Sequence, residues 1–158
     1  MRWKHLWFAL VGVLIILGLR AVLPHRLSEG NALQVVGLLD RQLRARPSGV
    51  ALGDLTPFAW DQACAVASDL TAAEVTARSG IVFPGDALPN GEGWLLVFAR
   101  GKTAQAAARI PPSLGVLAQN EPLRCLSDGG AFLGVIEAAD PPGPRRRFSL
   151  RPWTGDLK

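Results

Sequence analysis

The apolar positions of this chain change period several times, and each change predicts an element. Leu6 to Leu19 reads LWFALVGVLIILGL, fourteen residues without a charge. Arg20 interrupts the run, and Ala21, Val22 and Leu23 carry it on to Pro24. With Arg20 snorkelling toward headgroups the span reaches eighteen residues. At about 1.5 Å per residue that is roughly 27 Å of helix, near the thickness of a thin bilayer core. Arg2, Trp3, Lys4, Trp7 and Arg20 then fall at the membrane interface, the two tryptophans as an aromatic belt. Residues 1–24 therefore predict a transmembrane signal anchor. A cleaved signal peptide shares the basic start, but it should end in a small-x-small site, and Leu-Arg-Ala-Val-Leu-Pro supplies none. No cysteine follows the run to accept a lipid. A buried core helix is disfavoured by the terminal position and the flanking charge.

Residues 25–49 form a linker and an amphipathic helix. In NALQVVGLLDRQLRARP, Leu33, Val36, Leu39 or Asp40, and Leu43 follow a three-to-four-residue spacing. Asn31 or Ser28 can cap the start, Arg41, Arg44 and Arg46 complement the C-terminal dipole, and Pro47 stops the helix. It either lies on the membrane with its arginines on headgroups or packs on its own domain, and the second reading is preferred.

From Val50 the period falls toward two. Asp54 opens a turn, and Thr56-Pro57 prevents a helix from continuing. Trp60, Gln62, Cys64 and Val66 alternate with Asp61, Ala63, Ala65 and Ala67, which predicts a first strand over Asp61–Ala67. Thr71-Ala-Ala-Glu74 is a capping box, and Gly80 ends the short helix it starts. Ile81 to Phe83 reads as extended. Asn90-Gly91 is a turn, Trp94–Ala99 a strongly apolar strand, and Arg100-Gly101-Lys102 a reversal. Thr103–Ile110 returns as a strand despite the helical propensity of its alanines. After a turn at Ser127–Gly130, Ala131–Glu137 is the last strand, and the Pro/Arg-rich tail 141–158 is loop-like. The expected fold of residues 50–140 is α+β: an antiparallel sheet of about four strands with a short helix on one face. Trp60 and Trp94 are core candidates.

Charge changes the picture once it is located. The chain has 158 residues, mean hydropathy +0.21, pI near 9.8 and a net charge of +4. Taken whole, that suggests an anionic polymer as partner. Yet residues 50–140 hold five basic residues against ten acids, while residues 141–158 hold five against one. The basic character is therefore concentrated at the two ends. Arg145, Arg146, Arg147 and Arg151, interleaved with Phe148 and Trp153, form a possible anion-binding cluster that suits lipid headgroups better than nucleic acid on an exported domain. A solvated tail is the plainer reading.

Catalytic chemistry finds few candidates. Both histidines, His5 and His25, lie in or beside the apolar segment, so the folded part offers none for a Ser–His or Cys–His centre or a His-ligated metal. No phosphate-binding or dinucleotide motif is present, and no cofactor is expected. Lys102, needed for any Ser–Lys dyad, sits in a solvent-favouring turn. Asp54 and Asp61 are the best carboxylate pair, but the reading of Asp54 as a turn cap and Asp61 as a solvated residue beside Trp60 is strongly preferred. Cys64 and Cys125 are most simply a disulfide, closing a loop of about 60 residues worth roughly 4 kcal/mol in the chain-entropy model. Two buried thiols are the alternative.

Asp54-Leu-Thr-Pro-Phe-Ala-Trp-Asp61, followed by an apolar strand and later by Gly93-Trp-Leu-Leu-Val-Phe98 with a Gly-Lys hairpin, resembles small exported or membrane-attached bacterial proteins carrying an Asp-Leu-Thr-x-Phe-x-Trp-Asp segment. The resemblance covers residues 52–110 and departs at QACAVAS, where that group has larger residues. It implies export and an α+β fold, and it transfers no catalytic residue. Together these features predict a single-pass protein of the bacterial inner membrane. Its C-terminal domain would lie in the periplasm as a non-enzymatic accessory or binding module, with a protein partner there. The alternative is a cleaved, secreted hydrolase using Asp54 and Asp61.

Overall fold

The structure is a computed structural model that describes residues 27, 29–85, 87–118, 120–127, 130–138 and 145–152. The apolar run, with Arg2, Trp3, Lys4, Trp7 and Arg20, lies outside the described residues. Helix α1 spans Glu29–Ala45 and α2 Ala72–Ser79, and a 3-10 turn covers Leu52–Leu55. The strands are β1 Gly49–Ala51, β2 Gln62–Val66, β3 Trp94–Arg100, β4 Thr103–Ile110, β5 Val116–Leu117, β6 Leu123–Ser127, β7 Ala131–Ala138 and β8 Arg145–Pro152. The fold is α+β, as expected, but it carries two four-stranded sheets where one was predicted. A central sheet has the order β4-β3-β2-β6, and a second, outer sheet the order β1-β7-β8-β5.

The central sheet is covered on both faces, which explains why β3 is an unbroken apolar run. Trp94, Leu96 and Phe98 join one core with Ala63, Ala65, Ala106, Ala108 and Ile110, packed against Leu133, Phe148 and Leu150 of the outer sheet. Leu95, Val97 and Ala99 point the other way, toward Val75 of α2, Ile81 and Phe83. The period of two thus divides one run between two cores. A bulge at Phe98/Ala99 leaves Gln105 unmatched on β4, so Ala104 and Ala107 share the α2 side while Ala106 and Ala108 face the outer sheet. The small β4 side chains leave room for α1, which packs chiefly on that strand.

Local signals placed α2 correctly. Thr71 Oγ1 accepts from the Glu74 amide, the Glu74 carboxylate accepts from the Thr71 amide at 2.8 Å, and Gly80 ends the helix at φ +73°. The hairpin of β3 and β4 also forms as expected. Helix α1 packs on its own domain, but its buried stripe is Val35, Leu39 and Leu43, and Leu33 is 75% exposed. The expected stripe therefore holds at Leu39 and Leu43, with Val36 half-buried, and departs at Leu33, whose place in the core Val35 takes.

The larger correction is at the C-terminus. Residues 145–152 are not loop but β8, which pairs along its length with β7 and buries Phe148 and Leu150. Three prolines before the strand, a fourth at its end and a run of arginines conceal that alternation in the sequence. Cys64 and Cys125 sit directly opposite each other on β2 and β6, their sulfurs at a bonded 2.06 Å.

Candidate functional site

A concavity lies where α1 crosses the edge strand β4. It has a volume of about 260 Å³. Helix α1 contributes Ala32 and Leu33 and, one turn further on, Val36, and Leu27 precedes them. Beneath lie Ala107 and Arg109 of β4, and Pro89 supplies the far wall. Six of the eight lining residues are apolar; Glu29 and Arg109 are the charged ones.

Arg109 builds the far wall. Its Nε and Nη2 donate to the Pro89 carbonyl and its Nη1 donates to the Gly93 carbonyl at 2.6 Å, so one guanidinium pins residues 89–93 against the sheet. Partial burial lowers its pKa from the ordinary arginine value, and it makes none of the ion pairs found among the described residues. Gly93 adopts φ +98°, and a Cβ there would overlap the Ile110 carbonyl oxygen, so glycine is required for this close approach. The groove was missed in the sequence because its walls come from positions up to 82 residues apart (Leu27 and Arg109). Only Leu33, an apolar residue off the buried stripe, gives a local signal.

The residues singled out in the sequence are used differently. Asp61 accepts a 2.7 Å hydrogen bond from the Gly101 amide and so holds the β3–β4 turn. Asp54 lies 3.5 Å from Arg46 in an exposed pair. Each carboxylate therefore has a structural partner of its own. Three further residues of this segment have structural partners: Trp60 donates to Thr56 Oγ1 at 2.7 Å, and Thr56 Oγ1 in turn donates to the Leu52 carbonyl. The Phe58 and Trp60 rings meet Phe98 edge-on at 5.8 and 5.4 Å. Lys102 is exposed in its turn. Trp94 is buried and donates to the Gly115 carbonyl, while Trp60 is half-buried.

Strand geometry divides the arginine cluster between two faces. Alternation along β8 puts Arg146 on the side of Phe148 and Leu150, half-buried, and Arg147 and Arg151 on the opposite face. Arg151 stacks 5.2 Å over the Phe132 ring. Of Arg145 only the backbone is described, paired with Ala138. Among the described residues no group of three or more His, Cys, Asp or Glu could hold a metal ion, and no helix is long and apolar enough to cross a membrane. No protein-family model, curated protein or solved structure matches this chain.

Proposed function

We propose that the chain is a membrane-anchored bacterial module whose folded domain is exported to the periplasm and works by binding rather than by catalysis. The observation that carries this reading is the Cys64–Cys125 pair at bonding distance across β2 and β6. A disulfide persists in an oxidising compartment, and the basic-flanked apolar run at residues 6–23 supplies a route there and a means of staying attached. Within the domain, the feature suited to binding is the groove between α1 and β4. Nothing in the geometry favours the carboxylate-pair hydrolase, since Asp54 and Asp61 are each engaged elsewhere.

The test is topology and thiol state in a bacterial host. The full chain should stay with carbonate-washed membranes, its domain should be digested by protease in spheroplasts but not in intact cells, and its cysteines should accept a maleimide only after reduction. A shortened soluble chain would overturn the anchor, and free thiols on a protease-protected domain would overturn export. Crosslinking in intact membranes that trapped the chain alone would overturn the binding role.

A further inference from the structure

We infer that the groove between α1 and β4 takes part of one acyl chain from the bilayer that holds the N-terminal segment. This inference rests on the anchor reading and gives that reading a ligand. The distance is set by the chain. Leu27 lines the groove and Leu23 ends the apolar run. Four residue steps separate them, and a fully extended chain covers at most about 14 Å in that number. If residues 6–23 span the membrane, Leu27 at the edge of the groove lies within that distance of it.

The lining fits hydrocarbon. Leu27, Ala32, Leu33, Val36, Pro89 and Ala107 present apolar surface, and Leu33 is the most exposed large apolar side chain of the described residues, at 75%. Such a leucine is at ease against lipid and not against water. The size limits the occupant. A cavity of about 150 Å³ suffices for a benzene ring, whereas sites that enclose a whole drug-sized ligand begin at about 300 Å³. At 260 Å³ the groove holds a short length of chain and not an entire lipid. It therefore grips the bilayer surface rather than carrying lipid away. The rim bears one cation, Arg109, and one anion, Glu29. That pairing selects weakly among headgroups, so recognition rests on the hydrocarbon.

The full chain should be reconstituted into phosphatidylethanolamine–phosphatidylglycerol vesicles whose acyl chains are brominated. A fluorophore is placed by Leu33→Cys or Pro89→Cys, on opposite walls of the groove, and by Ile136→Cys, an apolar position 52% exposed on the outer sheet. The native cysteines are bonded and do not take the label. Labels at Leu33 and Pro89 should be quenched severalfold more than the label at Ile136. Flotation with the vesicles is scored first, because a chain that does not float overturns the anchor and this inference together. A floating chain with all three labels equally unquenched overturns the inference and leaves the anchor standing. Quenching at Leu33 without Pro89 shows a face that touches lipid but admits no chain, and it also overturns the groove. Self-quenching between Leu33 labels that vanishes on dilution with unlabelled chain assigns the face to a second copy instead.

Discussion

Trp60 shows how much of the octet is spent on holding the fold. Its indole N–H donates to Thr56, whose hydroxyl donates back to Leu52 across the end of the 3-10 turn. The ring itself packs on Phe98 at the heart of the central sheet. The relay fixes the path of residues 52–61, and Asp61 at its end fixes the next turn through Gly101. Thr56→Val removes the acceptor and leaves a half-buried indole N–H unpaired, at a cost of about 1–3 kcal/mol. Trp60→Phe removes both the donor and ring area. A double-mutant cycle between them, read from urea unfolding, should give a coupling of about 0.5–1.5 kcal/mol. Strict additivity would mean that the hydrogen bond contributes nothing and that packing alone holds the segment. The octet was legible as an unusual string; its purpose was not, because Phe98 and Gly101, the partners that explain it, lie about 40 residues further on.

Helix α2 and strand β8 mark the two extremes of legibility at the level of the element. Every signal that makes α2 is local: a capping box at its start and a left-handed glycine at its end. The same box predicts an acid response. The Glu74 carboxyl is held below its ordinary value first by the Thr71 amide, then by the Thr71 hydroxyl, with a smaller contribution from Arg78. A carboxylate with a depressed folded pKa stabilises above its unfolded pKa and loses that contribution as pH falls through the folded value. The wild-type helix should therefore begin to fray as pH falls below about 4.3, the ordinary glutamate value. Glu74→Gln should flatten that acid limb while lowering protection at neutral pH. Amide exchange of residues 75–79 between pH 7 and pH 3 checks this, and parallel curves for the two chains would refute it. Strand β8 has no such local signature. Its register depends on β7, and Phe148 and Leu150 become legible as core only beside Leu133. Helix α1 is intermediate: its helicity is local, but the face it buries is chosen by the alanines of β4 some 65 residues later.

At the scale of the molecule, recruiting α1 and β8 changes the charge argument. Residues 50–140 alone carry twice as many acids as bases, whereas residues 27–152 carry twelve Lys and Arg against twelve Asp and Glu. The segment 27–152 is thus neutral overall by sequence, and its net charge no longer argues for a basic or an anionic partner. The bond between Cys64 and Cys125 closes this unit. It joins β2 to β6, the edge strand from which the chain passes to β7 and β8, so it ties the first half of the domain to the strands that complete it. For a sequence separation of 61 residues, the chain-entropy model gives about 4 kcal/mol. With a urea dependence of about 2 kcal/mol per molar, that is a fall of roughly 2 M in the unfolding midpoint. Reduced wild type should show that fall with both sulfurs still in the core. The Cys64→Ala/Cys125→Ala chain should fall further, because Cys64 is fully buried and its replacement leaves space beside Val97. Comparing the two separates the crosslink from the packing. A reduced wild type that unfolds at the oxidised midpoint would show that strand pairing holds β6 unaided, and the bond would then lose its part in stability.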